Sequence, residues 1–331
     1  MGYTQAQIKD GLTNMCVNSQ RAKLGDLVYG AAAGGYPLDY PGLIYYVNNV
    51  SGLSTNDGLS WGTAFAQVSQ AISAWNTAQA LLTDVDSRGV IYVAGTATAY
   101  TGLTALPSYC DIVGVGSNAL GNGGSVPRIG SDTAAEDGVL ITSGSSTLRG
   151  LNFYGIQFQA GTGKSCFTVN FLYKSGFYNC SFMVNGSAAS CTTGFLAAKC
   201  SGVIFDNCHW GTASNVEPTV GLDISGSHFH HCKLTNCEIT GLTAGFRLAS
   251  GTTSTYRSVM KDCVIASNYG TCALGVDDNA TTGQMMFVHN HVSATDAFEM
   301  TNNGAARTLE NWTYEGSEAR IETTPIVTTS T

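Results

Sequence analysis

Charged residues are scarce in this sequence. Asp, Glu, Lys and Arg make up 11% of its 331 residues, whereas about 25% is usual for a globular protein. The formal net charge of −8 argues against a nucleic-acid partner or an anionic membrane surface, because both attract Lys and Arg. No apolar run approaches the roughly 18 residues of a membrane-spanning helix. Residues 1–10 lack the apolar segment of a secretory signal, so we expect synthesis in a cytosol and no membrane insertion.

The sequence is instead rich in a repeat with a period of roughly 22 to 29 residues. Each copy has apolar residues at alternate positions, then Gly, Asn, Asp or His at a break, then further apolar residues. The residues that mark successive copies are Ile156, Cys180, Cys208, Cys237, Cys263, Asn290 and Trp312. A self-similar period in this range predicts stacked supersecondary units that each contact only their neighbours.

A second pattern runs in phase with the first, with a small residue followed by two apolar residues at alternate positions. Its first apolar residues are Val139, Phe167, Phe195, Leu222, Phe246, Leu274 and Phe298. Alternation with period two predicts a short strand in each pattern. Asn, Gly and Asp tolerate the left-handed backbone of a sharp turn between strands. The sequence therefore predicts an all-β fold, a right-handed parallel β-helix.

The 11 cysteines do not suggest a disulfide framework. Four of them share one position in consecutive repeats: Cys180, Cys208, Cys237 and Cys263. This spacing predicts an interior column of small reduced side chains, a common role for free cysteine. No CxxC pair is present, so a zinc site has little support and no cofactor is expected.

The segment from residue 41 to 89 carries a different pattern. A strand at 43–47 is followed by a turn and by an amphipathic helix. The apolar face of that helix consists of Phe65, Val68, Ile72 and Trp75. A solenoid needs such an element, because an open end exposes strand edges and core to water. Residues 1–40 lack the repeat and contain a predicted helix at 5–16, while 116–137 are predicted to form a protruding loop.

Residues 43–320 resemble the pectate-lyase-like superfamily, which includes polysaccharide lyases, polygalacturonases and bacteriophage tailspikes. The resemblance rests on the repeat and on the order strand, Asp57-Gly58-x-Ser60-Trp61, helix. It is specific for the fold and says little about activity, since one fold serves many functions. Phage spikes and decoration proteins are made without a signal peptide and often begin with a short particle-binding segment. The resemblance therefore implies a structural protein of a bacteriophage virion, such as a capsid decoration, fibre or spike.

These expectations define a domain organisation and a set of partners. Residues 1–40 are predicted to anchor the protein to other virion proteins, 41–89 to form the strand and capping helix, 90–320 the β-helix and 321–331 a tail. The resemblance implies a homotrimer on the virion surface that contacts a host-surface polysaccharide. The alternatives are an extracellular location and a tailspike-type depolymerase, either hydrolase or lyase.

Sugar-cleaving β-helices carry acids at outward strand positions. In the second pattern those positions are predicted to hold Thr168, Leu196, Asp223, Arg247, Gly275 and Glu299. Asp223 and Glu299 are the catalytic candidates, but three coils between them give roughly 14 Å, beyond the roughly 6.5–9.5 Å of inverting glycosidases. A surface ion pair between Asp223 and Arg247 is the simpler interpretation. Asp277 and Asp278 are predicted to lie in a turn.

Aromatic and histidine side chains are the remaining candidates. Tyr154 and Tyr178 are predicted to face outward on consecutive coils and, with Arg247, to contact carbohydrate or another subunit, whereas Trp210 is predicted to face inward. Two His-x-His pairs lie on strands, and such a pair can bind a metal or line a trimer axis: His228 and His230, His289 and His291. The pairs are two coils apart, and His289 occupies a turn position, so no metal site is predicted from them.

Overall fold

The computed structural model describes residues 43–81, 88–116, 126–130, 136–142, 147–184, 191–211, 217–249, 255–266, 272–280, 285–299, 307–309, 311–315 and 318–322. The predictions for the anchor at 1–40 and for the tail beyond 322 lie outside these residues. Within them the backbone is nearly all β, and it forms a right-handed parallel β-helix, as predicted. Across the same ranges, no helix is both long and apolar enough to cross a membrane.

Three sheets run along the stack. Sheet A consists of β1 (Ile44–Val47), β2 (Gly89–Ala94), β3 (Cys110–Val115), β7 (Asn152–Tyr154), β10 (Gly176–Tyr178), β13 (Ile204–Asp206), β16 (Lys233–Thr235), β19 (Val259–Lys261), β22 (Met286–Val288) and β25 (Arg307–Leu309). Sheet B consists of β4 (Arg128–Ile129), β8 (Gln157–Ala160), β11 (Ser181–Val184), β14 (His209–Trp210), β17 (Glu238–Ile239), β20 (Val264–Ala266), β23 (His291–Ala294), β26 (Asn311–Glu315) and β27 (Glu318–Glu322). Sheet C consists of β5 (Val139–Ile141), β6 (Leu148–Arg149), β9 (Ser165–Tyr173), β12 (Thr193–Ser201), β15 (Val220–His230), β18 (Ala244–Leu248), β21 (Leu274–Asp278) and β24 (Asp296–Glu299).

The interior is a set of aromatic columns that follow the strand register. Phe153, Phe177 and Phe205 lie opposite one another on β7, β10 and β13. Their rings stack with centroids 5.3 and 5.0 Å apart. Phe167 of sheet C meets Phe177 edge-on at 5.2 Å, and Phe182 of sheet B lies 5.7 Å from it. The three inner faces therefore close into one continuous core. The apolar residues that alternate in the sequence are the ones whose side chains form this core.

A single left-handed residue makes the turn from sheet A to sheet B. The residues at this position are Asn179, Asn207, Asn236, Asp262 and His289, with φ between 51° and 54°. Asn207 donates from Nδ2 to Asn179 Oδ1 at 2.6 Å, so the turns of neighbouring coils are also joined by side chains. The predicted turn chemistry is confirmed, because Asn and Asp accept this backbone conformation more readily than most residues.

The repeated cysteines form the predicted interior column. Cys180, Cys208, Cys237 and Cys263 are buried free thiols. Burial raises the pKa of Cys208 well above its ordinary value. The column ends in two buried asparagines, where Asn290 Nδ2 donates to Asn311 Oδ1 at 2.9 Å.

One helix, α1 (Val68–Gln79), lies near the start of the described chain. It buries Val68, Ala71, Ile72 and Trp75, close to the predicted apolar face, and it contacts β1 and β2. Trp75 donates from Nε1 to the carbonyl of Ser108 at 3.0 Å, so the buried indole nitrogen is satisfied.

Three local predictions are corrected. The predicted loop at 116–137 contains strand β4, which pairs with β8. In the last coil, Asn311 rather than Trp312 continues the interior column. Its Nδ2 donates to Phe287 O, and its Oδ1 accepts from Asn290 Nδ2. The parallel ladder does not extend to residue 320, because β27 reverses and pairs antiparallel with β26. Short apolar alternations do not encode such local shifts, since several registers satisfy them.

Candidate functional site

A column of charged residues shares one register position across sheet C. Strand pairing places Asp223, Arg247, Asp277 and Glu299 opposite one another on β15, β18, β21 and β24. Arg247 Nη2 lies 2.5 Å from Asp223 Oδ2, and this contact raises the pKa of the guanidinium. The Asp223 side chain is only 5% exposed and that of Arg247 is 32% exposed, so the predicted ion pair is present but partly buried. Among the described residues, Asp223 Oδ1 and Arg247 Nε have no hydrogen-bond partner.

Two predictions for this column are corrected. Asp277, not Gly275, lies opposite Arg247, and Gly275 is buried. Asp277 and Asp278 end β21 and do not form a turn. A slip of two residues keeps every side chain on its own face, so the alternation that predicted the strand could not detect this slip.

A second polar cluster lies on the outer face of sheet A. Asp111 of β3 is fully buried, and its Oδ1 accepts from Arg88 and, at 2.8 Å, from Asn152 Nδ2. Asp111 Oδ2 has no hydrogen-bond partner within the described ranges. An unpaired buried carboxylate oxygen is unusual, since a buried polar atom without a partner costs free energy.

Aromatic side chains border this cluster. Tyr154 and Tyr178 face outward on β7 and β10 and stack at 4.9 Å with an interplanar angle of 11°. The Tyr178 ring lies over Gly176, where a Cβ would have no room. Burial, with the negative charges of Asp111 and Asp206, raises the pKa of Tyr178 to about 12. The phenol is therefore neutral and able to donate a hydrogen bond at any physiological pH.

The same outward position continues towards the start of the stack. Strand register places Tyr46, Tyr92, Val113, Tyr154 and Tyr178 in one line on β1, β2, β3, β7 and β10. Four strand intervals make this line about 19 Å long. Tyr46 and Tyr92 stack at 5.6 Å, and the exposed Trp61 meets Tyr46 edge-on at 4.9 Å. We call these five positions together with Trp61 the aromatic strip.

The histidine pairs do not come together. His228 and His230 lie at the end of β15, with ring centroids 4.7 Å apart. His289 lies in the turn between sheets A and B, 3.6 Å from Asp262 Oδ1, and His291 starts β23. Within the described residues, no group of three or more His, Cys, Asp or Glu side chains is arranged to hold a metal ion.

A shallow cleft of about 350 Å³ opens beside the turns between sheets A and B. Its polar lining includes Asn207, His209, Asn236, Glu238 and Asp262. His209 Nδ1 lies 3.9 Å from Glu238 Oε2, and burial lowers the pKa of this histidine, although Glu238 opposes that shift. The cleft is a weak candidate for catalysis, because 3.9 Å is too long for a hydrogen bond.

Comparisons with known proteins agree with this architecture. Among solved structures, pectate lyase Pel9A is similar with a TM-score of 0.53 and 14% identity, over 82% of this chain and 69% of its own. The fold is the pectate-lyase-like parallel β-helix. A rhamnogalacturonan lyase is similar with a TM-score of 0.44 and 12% identity, over 76% of this chain and 69% of its own. The surface adhesin PfbA of Streptococcus pneumoniae has a TM-score of 0.38 and 10% identity, over 73% of this chain and 81% of its own.

Sequence comparison adds no closer relative. No protein-family model matches the chain, and no curated protein matches it. The resemblance to phage tailspikes therefore stays a prediction.

Sequence reasoning identified part of these surfaces and missed the rest. It identified Tyr154, Tyr178, Asp223 and Arg247 as outward residues. It missed Arg88 and Asp111, although an acid within the apolar strand Cys110–Val115 is a visible signal of an outward or paired position. Arg88, the partner of Asp111, lies in an earlier coil, and nothing in the local sequence pattern connects these two residues.

Proposed function

We propose that this protein binds a surface polysaccharide along the aromatic strip. The observation that carries the proposal is the line of four outward tyrosines on sheet A, two on each side of Val113, next to the hydrogen-bonding groups of Arg88 and Asn152. Sugar rings combine an apolar face with a rim of hydroxyls, so they suit an aromatic surface bordered by fixed polar groups. The similarity in fold to polysaccharide lyases is consistent with this ligand class.

The strip offers a defined geometry for such a ligand. Its two tyrosine pairs have ring centroids 5.6 and 4.9 Å apart, Val113 lies between the pairs, and all five positions lie on paired strands of sheet A. Tyr178 and Asn152 provide donors, and Asn152 is held in place by its hydrogen bond to the buried Asp111. Preorganised groups reduce the entropy lost on binding. A polysaccharide is therefore expected to lie parallel to the axis of the stack.

The binding experiment uses affinity electrophoresis in gels containing purified bacterial surface polysaccharides. The double variant Tyr154→Ala/Tyr178→Ala is expected to bind at least about tenfold more weakly, a loss of about 1.4 kcal/mol or more. Val264→Ala, which truncates an exposed side chain on sheet B, is the matched control and is expected to bind normally. Unchanged binding by a correctly folded double variant would refute the role of the strip.

We also propose that the protein is a bacteriophage virion component, a homotrimer anchored through residues 1–40. Its support is the resemblance of the repeat and capping segment to phage spikes, together with a weakly charged, hydroxyl-rich composition. Light scattering on the full chain and on a variant lacking residues 1–40 tests the assembly. A trimer in both forms supports the proposal, whereas a monomer in both forms removes the homotrimer from it.

A second candidate function is cleavage of the polysaccharide, and the charged column of sheet C favours it. Asp277 and Glu299 lie opposite each other on adjacent strands, about 5 Å apart at the backbone. This backbone spacing is compatible with the separation of about 5–5.5 Å between the two carboxyl groups of retaining glycosidases. The pair suggested by the sequence, Asp223 and Glu299, is separated by β18 and β21 and is too distant.

Release of new sugar ends from the bound polysaccharide tests this candidate. If the column is catalytic, Asp277→Asn or Glu299→Gln should each slow the release at least about 100-fold. Asp296→Asn, which removes an exposed carboxylate from the same strand as Glu299, should leave the rate unchanged. Failure of the unaltered protein to release ends from any polysaccharide that it binds would eliminate the candidate.

A further inference from the structure

Basic side chains gather at one corner of this acidic protein, where sheet C turns into sheet A. Lys and Arg total only 15 in the chain, yet several of them meet here. The basic corner consists of Arg149, Lys174, Lys199, Lys233 and Arg257. Each is exposed or half-buried, so all five can reach a ligand.

Strand pairing and turn hydrogen bonds bring these residues together. Arg149 lies opposite Tyr173 at the corner, and Lys174 begins the turn that follows. Lys199 lies between Phe171 and His228 on adjacent strands.

The later coils continue the corner. His231 donates its backbone N–H to Tyr256 O at 2.8 Å, which places Arg257 in the same stacked turn as His231. Two residues after His231, Lys233 begins β16, and its side chain faces outward. The corner thus follows the stack across several consecutive coils.

Little negative charge opposes these cations. Among the described residues, no ion pair involves Arg149, Lys174, Lys199, Lys233 or Arg257. Two acids lie near on sheet A: Asp111 is buried and bonded to Arg88 and Asn152, and Asp206 accepts from Thr235 Oγ1 at 2.7 Å. Like charges on neighbouring strands repel one another, so a bound anion would lower the free energy of this surface.

Aromatic rings lie among the cations. The guanidinium of Arg149 and the ammonium of Lys174 lie 5.5 and 5.4 Å from the centre of the Tyr173 ring. Tyr256, which is 45% exposed, packs beside His230 at 5.3 Å. The cation–aromatic contacts hold Arg149 and Lys174 in place, which lowers the entropy lost when they bind a ligand.

The corner is continuous with the aromatic strip. Only three buried residues separate Lys174 from Tyr178: Ser175, and then Gly176 and Phe177 of β10. A polymer on the strip would therefore present its side groups to the cations. We propose that the basic corner binds the acidic groups of an anionic polysaccharide, either carboxylate, sulfate or phosphate. This proposal rests on the proposed function, because it specifies the charge of the same ligand.

A nucleic acid is the other polyanion that cations and aromatic rings can bind. The net charge of −8 opposes it, because a long nucleic acid carries about one charge per 1.7 Å of duplex axis and would extend past the corner over acidic surface. A polysaccharide with sparser charges avoids that repulsion.

The test compares binding of dextran, dextran sulfate, alginate and a single-stranded oligonucleotide to the full-length protein by biolayer interferometry. The two acidic polysaccharides are expected to bind at least about tenfold more tightly than dextran, and added salt should weaken them through screening. Lys199→Gln/Lys233→Gln should remove most of that preference. Arg128→Gln/Lys164→Gln makes the same change in net charge away from the corner, on sheet B and just before β9, and should preserve it.

Each outcome supports or overturns a specific statement. An unchanged preference in Lys199→Gln/Lys233→Gln, or equally tight binding of the oligonucleotide, overturns the basic corner as a polysaccharide site. Equal binding of dextran and dextran sulfate that depends on Tyr154 and Tyr178 overturns only the charge selectivity and leaves the proposed function intact. Failure to bind these polymers and the bacterial polysaccharides alike would overturn both proposals.

Discussion

Replacing Phe177 with alanine is expected to lower the free energy of unfolding by about 3 to 5 kcal/mol. Phe177 is fully buried and stacks between Phe153 and Phe205. It also meets rings from the other two sheets. A cavity at this point removes contacts to all three sheets at once, and the neighbouring rings, held by the strand register, can fill it only in part.

Denaturant unfolding followed by circular dichroism measures this loss. Phe171→Ala is the matched control, because Phe171 is a half-buried phenylalanine on β9, outside the core cluster. The control is expected to lose about 1 kcal/mol or less, as surface substitutions usually do. Equal losses in the two variants would show that the aromatic column does not carry the stability of the stack.

Replacing Arg88 with alanine is expected to destabilise the protein by a similar amount, about 3 to 5 kcal/mol. The Asp111 side chain is 0% exposed, whereas that of Arg88 is 29% exposed. Removing the guanidinium leaves the buried carboxylate with the Asn152 amide as donor to Oδ1, while Oδ2 already has no partner among the described residues. An uncompensated buried charge costs more than the pair contributed, since its desolvation is no longer offset.

A double-mutant cycle isolates this effect. Arg88→Ala/Asp111→Asn is expected to recover much of the loss, because no charge is then buried. Lys261→Ala provides the exposed control, since Lys261 and Asp262 are 45% and 44% exposed at their 3.5 Å contact, and it should cost about 1 kcal/mol or less. A double variant as unstable as Arg88→Ala would locate the effect in packing rather than in the charge.

The aromatic strip and the basic corner are exposed surfaces, whereas Phe177 and Asp111 are buried. Outward side chains on a β-helix contribute little to the core, so their chemistry can vary while the fold remains. Here the strip on sheet A carries aromatic rings, and the adjoining corner carries cations. The charged column on sheet C is a separate face, so binding and cleavage can be tested by different variants.

The sequence by itself determined the architecture. Alternating apolar residues recur with one period in two patterns, and each alternation sends one set of side chains inward, as Phe177 and Trp210 show. Asn179 and Asn207 marked the turns because few residue types accept a left-handed backbone. The capping helix was visible because its apolar face has the helical period.

Only the tertiary structure decided the partners across coils. A slip of two residues preserves the inward and outward faces, so the pattern allowed Gly275 where pairing places Asp277 opposite Arg247. The contact of Arg88 with Asp111 and the gathering of Lys199 with Lys233 and Arg257 depend on loop lengths between coils. Those lengths set which residues become neighbours, and periodicity within one coil contains no information about them.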